Sequence, residues 1–202
     1  MRIITLSHQK GGVGKTTLAL NLAACFKNGL KVAILDTDLQ GSLSGIAPEM
    51  DGFDFIPADR LNDINTLSTQ YDILIIDTPP YLMDTLPMLF SISDYVLVPS
   101  KVGFFDVMAI RSTLEILKLV MVQKPNLKFG VVLNMIKSRT SINDDIKKIL
   151  ESYGAPVLKT TVSDRVSYTR SSITNGVFSS DDQKAKDEII ALANEILNDL
   201  GL

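Results

Sequence analysis

Cysteine is nearly absent from the sequence, since Cys25 is the only one among 202 residues. A lone cysteine has no partner for an intramolecular disulfide or for the paired ligands of a CxxC metal site, and we interpret it as a small buried hydrophobe. A chain without disulfides fits a reducing compartment, so we expect a cytoplasmic protein. Apolar runs of the roughly 18 residues that cross a bilayer are also absent, which argues against an integral membrane protein. We expect no membrane partner either, because the C-terminal segment EIIALANEILNDLGL lacks the lysines and arginines of a membrane-binding helix.

Strong charge of either sign and low-complexity segments are lacking as well. The formal net charge is −3, which gives no general attraction to nucleic acid. DNA binding would therefore have to come from a local basic patch. With 46% hydrophobic and 21% charged residues, and with no internal repeat or convincing linker, the chain fits one compact domain over residues 1–202.

Apolar segments of strand length alternate with segments of helical periodicity along the chain. Because the strand segments are nearly continuous in Val, Ile and Leu, they are expected to be covered on both faces. This rhythm predicts an α/β fold with a doubly wound, mostly parallel sheet and helices on both faces. The predicted strands are Ile3–Leu6, Val32–Leu35, Ile73–Ile76, Tyr95–Val98, Phe129–Leu133 and Pro156–Val162. The predicted helices are Lys15–Phe26, Phe105–Val122, Ser141–Tyr153 and Asp182–Leu200.

The stretch SHQKGGVGKTT, residues 7–17, carries the clearest chemical signal. It follows the first predicted strand and opens the first predicted helix, so backbone N–H groups can converge on a phosphate at the positive end of the helix. Glycines let the backbone approach phosphate oxygens, Lys15 supplies charge to the β- and γ-phosphates, and the Thr16 hydroxyl can bind Mg²⁺. The pattern predicts a P-loop NTPase that binds a nucleoside triphosphate and Mg²⁺. The predicted nucleotide contacts are Lys10, Gly11, Gly12, Val13, Gly14, Lys15, Thr16 and Thr17.

Two residues of this stretch depart from the usual G-x-x-x-x-G-K-[ST] pattern. Gln9 stands where the pattern has its first glycine, and Lys10 is an additional lysine. A second cation near a triphosphate can offset charge that develops in phosphoryl transfer, although a surface lysine beside a Gly-Gly turn is also unremarkable. We assign His8 a structural or hydrogen-bonding role rather than that of a general base.

Carboxylates follow two of the other predicted strands. LDTDLQG places Asp36 and Asp38 after one strand, and ILIIDTPP places Asp77 after another. Ligands of α/β folds bind at the carboxyl ends of the strands, where such aspartates fit a magnesium site. We predict that Asp77 binds Mg²⁺, partly through water, and that Asp38 contributes to the metal site and orients or activates the attacking water. Asp36 is equally compatible with capping the next turn.

The stretches KGGVGKTT, LDTDLQGS and ILIIDTPP together resemble the deviant Walker A, Walker A′ and Walker B motifs of the ParA/MinD superfamily of ATPases. The resemblance implies that Lys10 is the signature lysine, which reaches across an ATP-bound homodimer to the nucleotide of the other subunit. Lys15 would then serve the nucleotide of its own chain. The catalytic residues that this resemblance implies are Lys10, Lys15 and Asp38.

Within the superfamily, the chain is similar to small plasmid partition ParA proteins of the ParF type, and SITNGVFSSDDQKAKDEI resembles the region around the start of their last helix. The likeness implies weak hydrolysis until a ParB-like centromere-binding protein stimulates it, and non-specific DNA binding on the nucleoid in the ATP state. It also suggests Asn134 as a contact of the adenine edge, whereas Ser163 replaces a proline that many relatives carry in a later nucleotide loop. The candidate DNA contacts are Lys137, Arg139, Arg165 and Arg170.

Two other kinds of function share this nucleotide site. One is a MinD-like or other protein-positioning ATPase, although the C-terminal segment EIIALANEILNDLGL lacks the lysines and arginines of a membrane-binding helix. The other is a metabolic P-loop ATPase without DNA binding, because a fold and a nucleotide site do not determine the second substrate.

Overall fold

The computed structural model describes residues 1–38, 43, 50–137 and 141–202, with the backbone alone for residues 141 and 142. Its strands are β1 (Arg2–Leu6), β2 (Val32–Asp36), β3 (Asp54–Pro57), β4 (Ile73–Asp77), β5 (Tyr95–Ser100), β6 (Lys128–Ile136) and β7 (Val157–Ser163). They form one sheet in the order β3-β2-β4-β1-β5-β6-β7, in which every neighbouring pair is parallel. The predicted doubly wound α/β architecture is confirmed.

All six predicted strands are present, and one further strand was missed. β3 has four residues, of which only Ile56 is buried. It therefore shows neither the continuous apolar run of a central strand nor a clear alternation, and it lies at the edge of the sheet. β6 continues beyond its predicted end at Leu133 to Ile136, which carries Asn134 within the strand.

Seven α-helices lie within the described residues. They are α1 (Lys15–Phe26), α2 (Ile64–Gln70), α3 (Leu86–Ile92), α4 (Phe104–Gln123), α5 (Ser141–Ser152), α6 (Val166–Arg170) and α7 (Gln183–Asp199). The four long helices agree with the predicted bounds to within about one residue at each end, whereas α2, α3 and α6 are too short to display helical periodicity. Among the described residues, no helix combines the length and the apolarity needed to cross a membrane.

Apolar side chains cover both faces of the sheet. On one face, α1 and α7 pack against the strands through residues such as Leu22 and Ile189. On the other face, α3, α4 and α5 pack through residues such as Leu89, Leu114 and Leu150. Since the central strands are covered on both sides, their backbones are fixed, and the loops at their carboxyl ends start from rigid positions.

Gly130 in β6 occupies a position where a side chain does not fit. A Cβ there would lie 2.5 Å from Tyr95 Oη and 2.7 Å from Leu158 Cδ2. We expect Gly130→Ala to lower the free energy of unfolding by about 1–3 kcal/mol, because the overpacked neighbours have to move. Urea unfolding measures this change. Gly29→Ala is the matched control, since a Cβ there meets no atom within 4 Å, and a Gly130→Ala variant as stable as this control would contradict the packing.

Candidate nucleotide-binding site

The loop after β1 emerges at the carboxyl edge in the middle of the sheet. β1 pairs with β4 on one side and with β5 on the other, so the strand order changes direction at this point. Such a switch point leaves a crevice outside the carboxyl ends of the strands. The Ser7 N–H donates to the Leu97 carbonyl at 3.0 Å, and the Thr78 hydroxyl donates to the Leu6 carbonyl at 2.9 Å. These bonds fix the start of the loop to both neighbouring strands.

Residues 10–17, here called the phosphate loop, turn directly into α1. Gly12 has a φ of 69° and Gly14 a φ of 93°, a backbone conformation that favours glycine. A Cβ on Gly14 would also collide with the Asn134 amide. Helix α1 begins at Lys15, and the N–H groups of a first helical turn have no partner within the helix. The phosphate loop thus offers backbone donors and a positive helix end to an anion.

Lys15 is buried at the centre of the phosphate loop, and its ammonium group donates to the His8 carbonyl at 3.1 Å. Burial lowers the pKa of Lys15 below its ordinary value, and the carboxylates of Asp77 and Asp38 partly oppose this shift. A buried cation gains more from a charged acceptor than from a neutral carbonyl. This arrangement suits a phosphate group.

Asp77 ends β4 beside the first turn of α1. The Thr16 hydroxyl donates to Asp77 Oδ2 at 2.5 Å, and Asp77 Oδ1 is buried without a hydrogen-bond partner among the described residues. Burial raises the pKa of Asp77 to about 7, although the bond from Thr16 lowers it in part. A buried carboxylate oxygen without a partner is costly unless a cation or donor joins it. The residues present therefore fit Mg²⁺, which takes few protein oxygens beside water and phosphate.

Asp36 ends β2 and lies opposite Asp77 in the sheet register, and Asp38 follows the strand. Asp36 accepts the N–H of Asp38 at 2.8 Å and the N–H of Leu43 at 3.2 Å. Its carboxylate therefore holds the turn that positions Asp38, which supports the capping role for Asp36. The Thr37 hydroxyl donates to the Asp77 carbonyl at 2.8 Å and ties this turn to β4. Asp38 lies near enough to Lys15 to act on its pKa.

Lys10 contacts α4 rather than the interior of the phosphate loop. Its Nζ atom lies 2.7 Å from Asp106 Oδ1, and its side chain is 43% exposed. Gln9 Nε2 also donates to the Ala109 carbonyl of α4 at 3.0 Å. The two lysines of the phosphate loop thus have different surroundings. Lys15 is buried, whereas Lys10 lies at the surface against α4 of the same chain.

His8 connects the start of the loop to α4 and is buried. His8 Nδ1 accepts the N–H of Lys10 at 2.9 Å, and Nε2 lies 3.3 Å from the Asp106 carbonyl. This pairing assigns a neutral ring protonated at Nε2, which donates to the carbonyl. Burial lowers the pKa of His8 to about 4, and the backbone bond at Asp106 partly opposes the shift. The structure agrees with a hydrogen-bonding role for this histidine.

Asn134 lies against the phosphate loop. Its Nδ2 donates to the Val13 carbonyl at 2.8 Å, and its Oδ1 accepts the N–H of Met135 at 2.9 Å. The role of Asn134 at the adenine edge stays a prediction. A cavity of about 70 Å³ lies next to it, between the first turn of α1, the end of β6 and the segment after β7. The lining residues include Thr17, Asn134, Met135, Ser163, Asp164 and Tyr168.

The four basic residues suggested for DNA contact lie in different surroundings. Lys137 and Arg170 are exposed. Arg165 is 24% exposed and pairs with Glu188 at 3.0 Å and with Asp182 at 3.8 Å. Arg139 lies outside the described residues. DNA contact by these residues stays a prediction.

Sequence reasoning missed Asp106 and Glu188. An acidic residue in the first turn of a helix is common, so Asp106 gave no signal of its own. Its pairing with Lys10 depends on how α4 packs beside the phosphate loop. Glu188 occupies a helix whose polar residues all fit a solvent-exposed face, so its contacts likewise depend on tertiary packing.

The low pKa of His8 predicts a pH dependence of stability. The pKa falls from 6.5 in the unfolded chain to about 4 in the folded protein, so folding disfavours the protonated form. Its contribution is complete above pH 6.5 and is lost as the pH falls towards 4. His8 is the only histidine, so His8→Asn should remove about 2 kcal/mol of the stability loss between pH 8 and pH 5. Urea unfolding at both pH values tests this, and equal losses in both proteins would contradict it.

Known proteins resemble this chain in sequence and in fold. The model of the CobQ/CobB/MinD/ParA nucleotide binding domain matches residues 4–176. The chain is 28% identical over 209 residues to maintenance of carboxysome distribution protein A of Halothiobacillus neapolitanus, covering 96% of this chain and 95% of that protein. It is 28% identical over 207 residues to chromosome partitioning protein ParA of Caulobacter vibrioides, covering 76% of each.

A solved structure supports the fold. Cobyrinic acid a,c-diamide synthase from Mycobacterium smegmatis, with a bound ATP analogue and magnesium, has a TM-score of 0.76 at 20% identity and covers 98% of this chain and 95% of that one. The family match includes the phosphate loop and both carboxylate stretches, and the resemblance to ParA/MinD proteins inferred from the motifs is confirmed. The chain belongs to the CobQ/CobB/MinD/ParA family of nucleotide-binding domains.

Proposed function

We propose that the protein is a partition ATPase of the ParA type, which dimerises on binding Mg-ATP, binds DNA non-specifically and hydrolyses ATP to segregate DNA cargo. The observation that carries this proposal is the placement of the two lysines. Lys15 is buried inside the phosphate loop, whereas Lys10 is at the surface beside Asp106. An exposed cation at the rim of a nucleotide site is suited to contact a second subunit, where charge complementarity also selects the partner.

ATP and Mg²⁺ are the cofactors of this proposal. The phosphate loop and Lys15 hold the triphosphate, while Thr16 and Asp77 hold the metal ion, in part through water. When bound, Mg²⁺ offsets negative charge on the β- and γ-phosphates. Asp38 orients the attacking water, and Lys10 from the second subunit offsets the charge that develops as the γ-phosphate leaves.

Hydrolysis is weak until a ParB-like centromere-binding protein docks on the dimer. A cation supplied by this partner, such as an arginine, is one physical means of stimulation. The proposal places the ATP-bound protein on the nucleoid in the cytoplasm. Loss of the γ-phosphate then weakens the dimer and releases the DNA.

DNA binding in this proposal depends on exposed basic side chains near the carboxyl edge of the sheet. Lys137 and Arg170 are the described candidates with exposed side chains, and Arg139 follows Lys137 closely in the sequence. Arg165 ranks below them, because Glu188 and Asp182 already offset its charge. Contacts of this kind read phosphates rather than bases, so binding should be independent of sequence and sensitive to salt.

Positioning of a protein cargo is a second candidate function. The match to the carboxysome distribution protein of H. neapolitanus covers nearly the whole of both chains, whereas the match to the partition protein of C. vibrioides covers about three quarters. The same ATP-dependent dimer would then carry a partner that recruits a protein assembly. The two functions differ in the adaptor protein and not in the nucleotide chemistry.

The ATP-dependent dimer predicts a coupled change in mass and DNA binding. With Mg-ATP, wild-type protein should double its mass in light scattering and bind a random-sequence duplex, with an affinity that falls steeply between 50 and 200 mM salt, a loss on the order of tenfold or more. With ADP, it should stay monomeric and bind weakly. Lys10→Ala should bind ATP normally, because Lys15 remains, yet should neither dimerise nor bind DNA.

Failure to bind DNA in every nucleotide state, by a protein that binds ATP, would overturn the partition function and favour a protein-positioning or metabolic ATPase. A Lys10→Ala variant that dimerises like the wild type would overturn the role of the second lysine.

Asp77→Asn tests the metal site. The variant keeps the size of the side chain and an acceptor for the Thr16 hydroxyl, but a neutral amide is a poor ligand for Mg²⁺. We expect about a tenfold or greater loss of ATP affinity in Mg²⁺ and no change in EDTA, measured by calorimetry. In Asp36→Asn, the matched control, the amide oxygen can still accept the Asp38 N–H, and the bond from Leu43 is lost, so stability should fall while the effect of Mg²⁺ persists. Retention of that effect in Asp77→Asn would contradict the assignment.

A further inference from the structure

The carboxylate of Glu188 on α7 accepts hydrogen bonds from three residues of one short segment. Oε1 accepts the Ser163 hydroxyl at 2.7 Å and Arg165 Nη2 at 3.0 Å. Oε2 accepts the Ser163 N–H at 3.1 Å and the Tyr168 hydroxyl at 2.9 Å. A single side chain thus fixes both the beginning and the end of residues 163–168, here called the β7–α6 segment.

The charge of Glu188 is maintained by these contacts. Burial raises the pKa of its carboxyl group, but the hydrogen bonds from Arg165, Ser163 and Tyr168 outweigh burial and leave the pKa below its ordinary value. The carboxylate is therefore ionised at neutral pH. Bonds to a charged acceptor are stronger than bonds between neutral groups, so the β7–α6 segment is held more firmly than an ordinary loop.

The β7–α6 segment forms one wall of the cavity of about 70 Å³ next to the phosphate loop. The opposite wall includes Thr17 of the phosphate loop and Asn134 at the end of β6. In the proposed binding mode the phosphates lie at the first turn of α1, and Thr17 in that turn also lines the cavity, so the cavity is within reach of the nucleoside. Glu188 itself does not line the cavity, so it acts on the cavity through the segment.

We propose that Glu188 is a positioning residue that holds the β7–α6 segment in the shape that recognises the purine base of the nucleotide, so that it determines the preference for ATP over GTP. The inference rests on the proposed ATP-binding function. Discrimination between two purines requires polar groups at fixed positions, because a wall that readjusts can satisfy either base. The polyphosphate contacts depend on the phosphate loop and should not respond to Glu188.

Glu188→Gln is the main variant, because it keeps the shape of the side chain and removes its charge. Its affinities for Mg-ATP, Mg-GTP and Mg-tripolyphosphate are measured by calorimetry. We expect ATP affinity to fall about tenfold, as a charged hydrogen-bond acceptor is lost. We expect tripolyphosphate affinity to be unchanged and the ratio of ATP to GTP affinity to approach one.

Glu195→Gln is the matched control on the same helix. Glu195 accepts the N–H groups of Lys159 at 2.7 Å and Thr160 at 2.9 Å, so it also fixes β7 to α7 but lies away from the cavity. This variant should lose stability without changing the ratio of ATP to GTP affinity. Ser163→Ala removes the hydroxyl bond to Glu188 and leaves the backbone bond, so it should move the ratio in the same direction by a smaller factor.

Different results would overturn the role of Glu188 and the proposed ATP-binding function. An unchanged ratio of ATP to GTP affinity in Glu188→Gln would overturn the inference, as would a wild-type protein without preference or an equal loss of tripolyphosphate affinity. If Glu188→Gln does not fold, an unchanged ratio in Ser163→Ala would overturn it. A wild-type protein that binds neither ATP nor tripolyphosphate would instead overturn the proposed function, and the inference with it.

Discussion

The hydrogen bond from Thr16 to Asp77 joins the first turn of α1 to the carboxyl end of β4, and the geometry of the site depends on it. It can form because β1 and β4 are adjacent parallel strands whose ends are level, with Leu6 opposite Asp77. Glycine at position 14 then allows the loop after β1 to return directly into α1. As a result, the Thr16 hydroxyl, the buried Asp77 carboxylate and the buried Lys15 ammonium group lie at the same carboxyl edge of the sheet. Burial gives each of these groups a stronger interaction with an ion than it would have in water.

Contacts with α4 fix the chain that leads from β1 into the phosphate loop. His8, Gln9 and Lys10 each contact Asp106 or Ala109, so three successive residues attach the loop to one helix. Asp106 is largely buried, and it cannot lose Lys10 without losing a partner for its charge. In the proposed dimer, Lys10 leaves Asp106 for the other subunit and needs a compensating anion, which the phosphates of a bound nucleotide would provide. The proposed switch would then depend on the balance between these two anions, which attract the same cation.

The opposite side of the crevice depends on α7. This helix packs on the same face of the sheet as α1 and fixes the chain after β7 through Glu188. Ser163 donates both its backbone N–H and its hydroxyl to that carboxylate. These two bonds restrict the backbone at a position where a proline ring would otherwise restrict it. In the proposed nucleotide site, the phosphate end and the base end would therefore be held by different helices, so that each could be altered separately.

The sequence alone determined the buried parallel strands, the long helices, the phosphate loop and the aspartates at the strand ends, because these depend on local periodicity and on short motifs. It did not predict β3, α2, α3 or α6, since elements of four to seven residues show little periodicity. Only tertiary structure paired Lys10 with Asp106 and joined Ser163 to Glu188, because these partners are far apart in sequence and meet through helix packing. Tertiary structure also distinguished Asp36 from Asp38, since the role of Asp36 depends on which N–H groups the turn brings to its carboxylate.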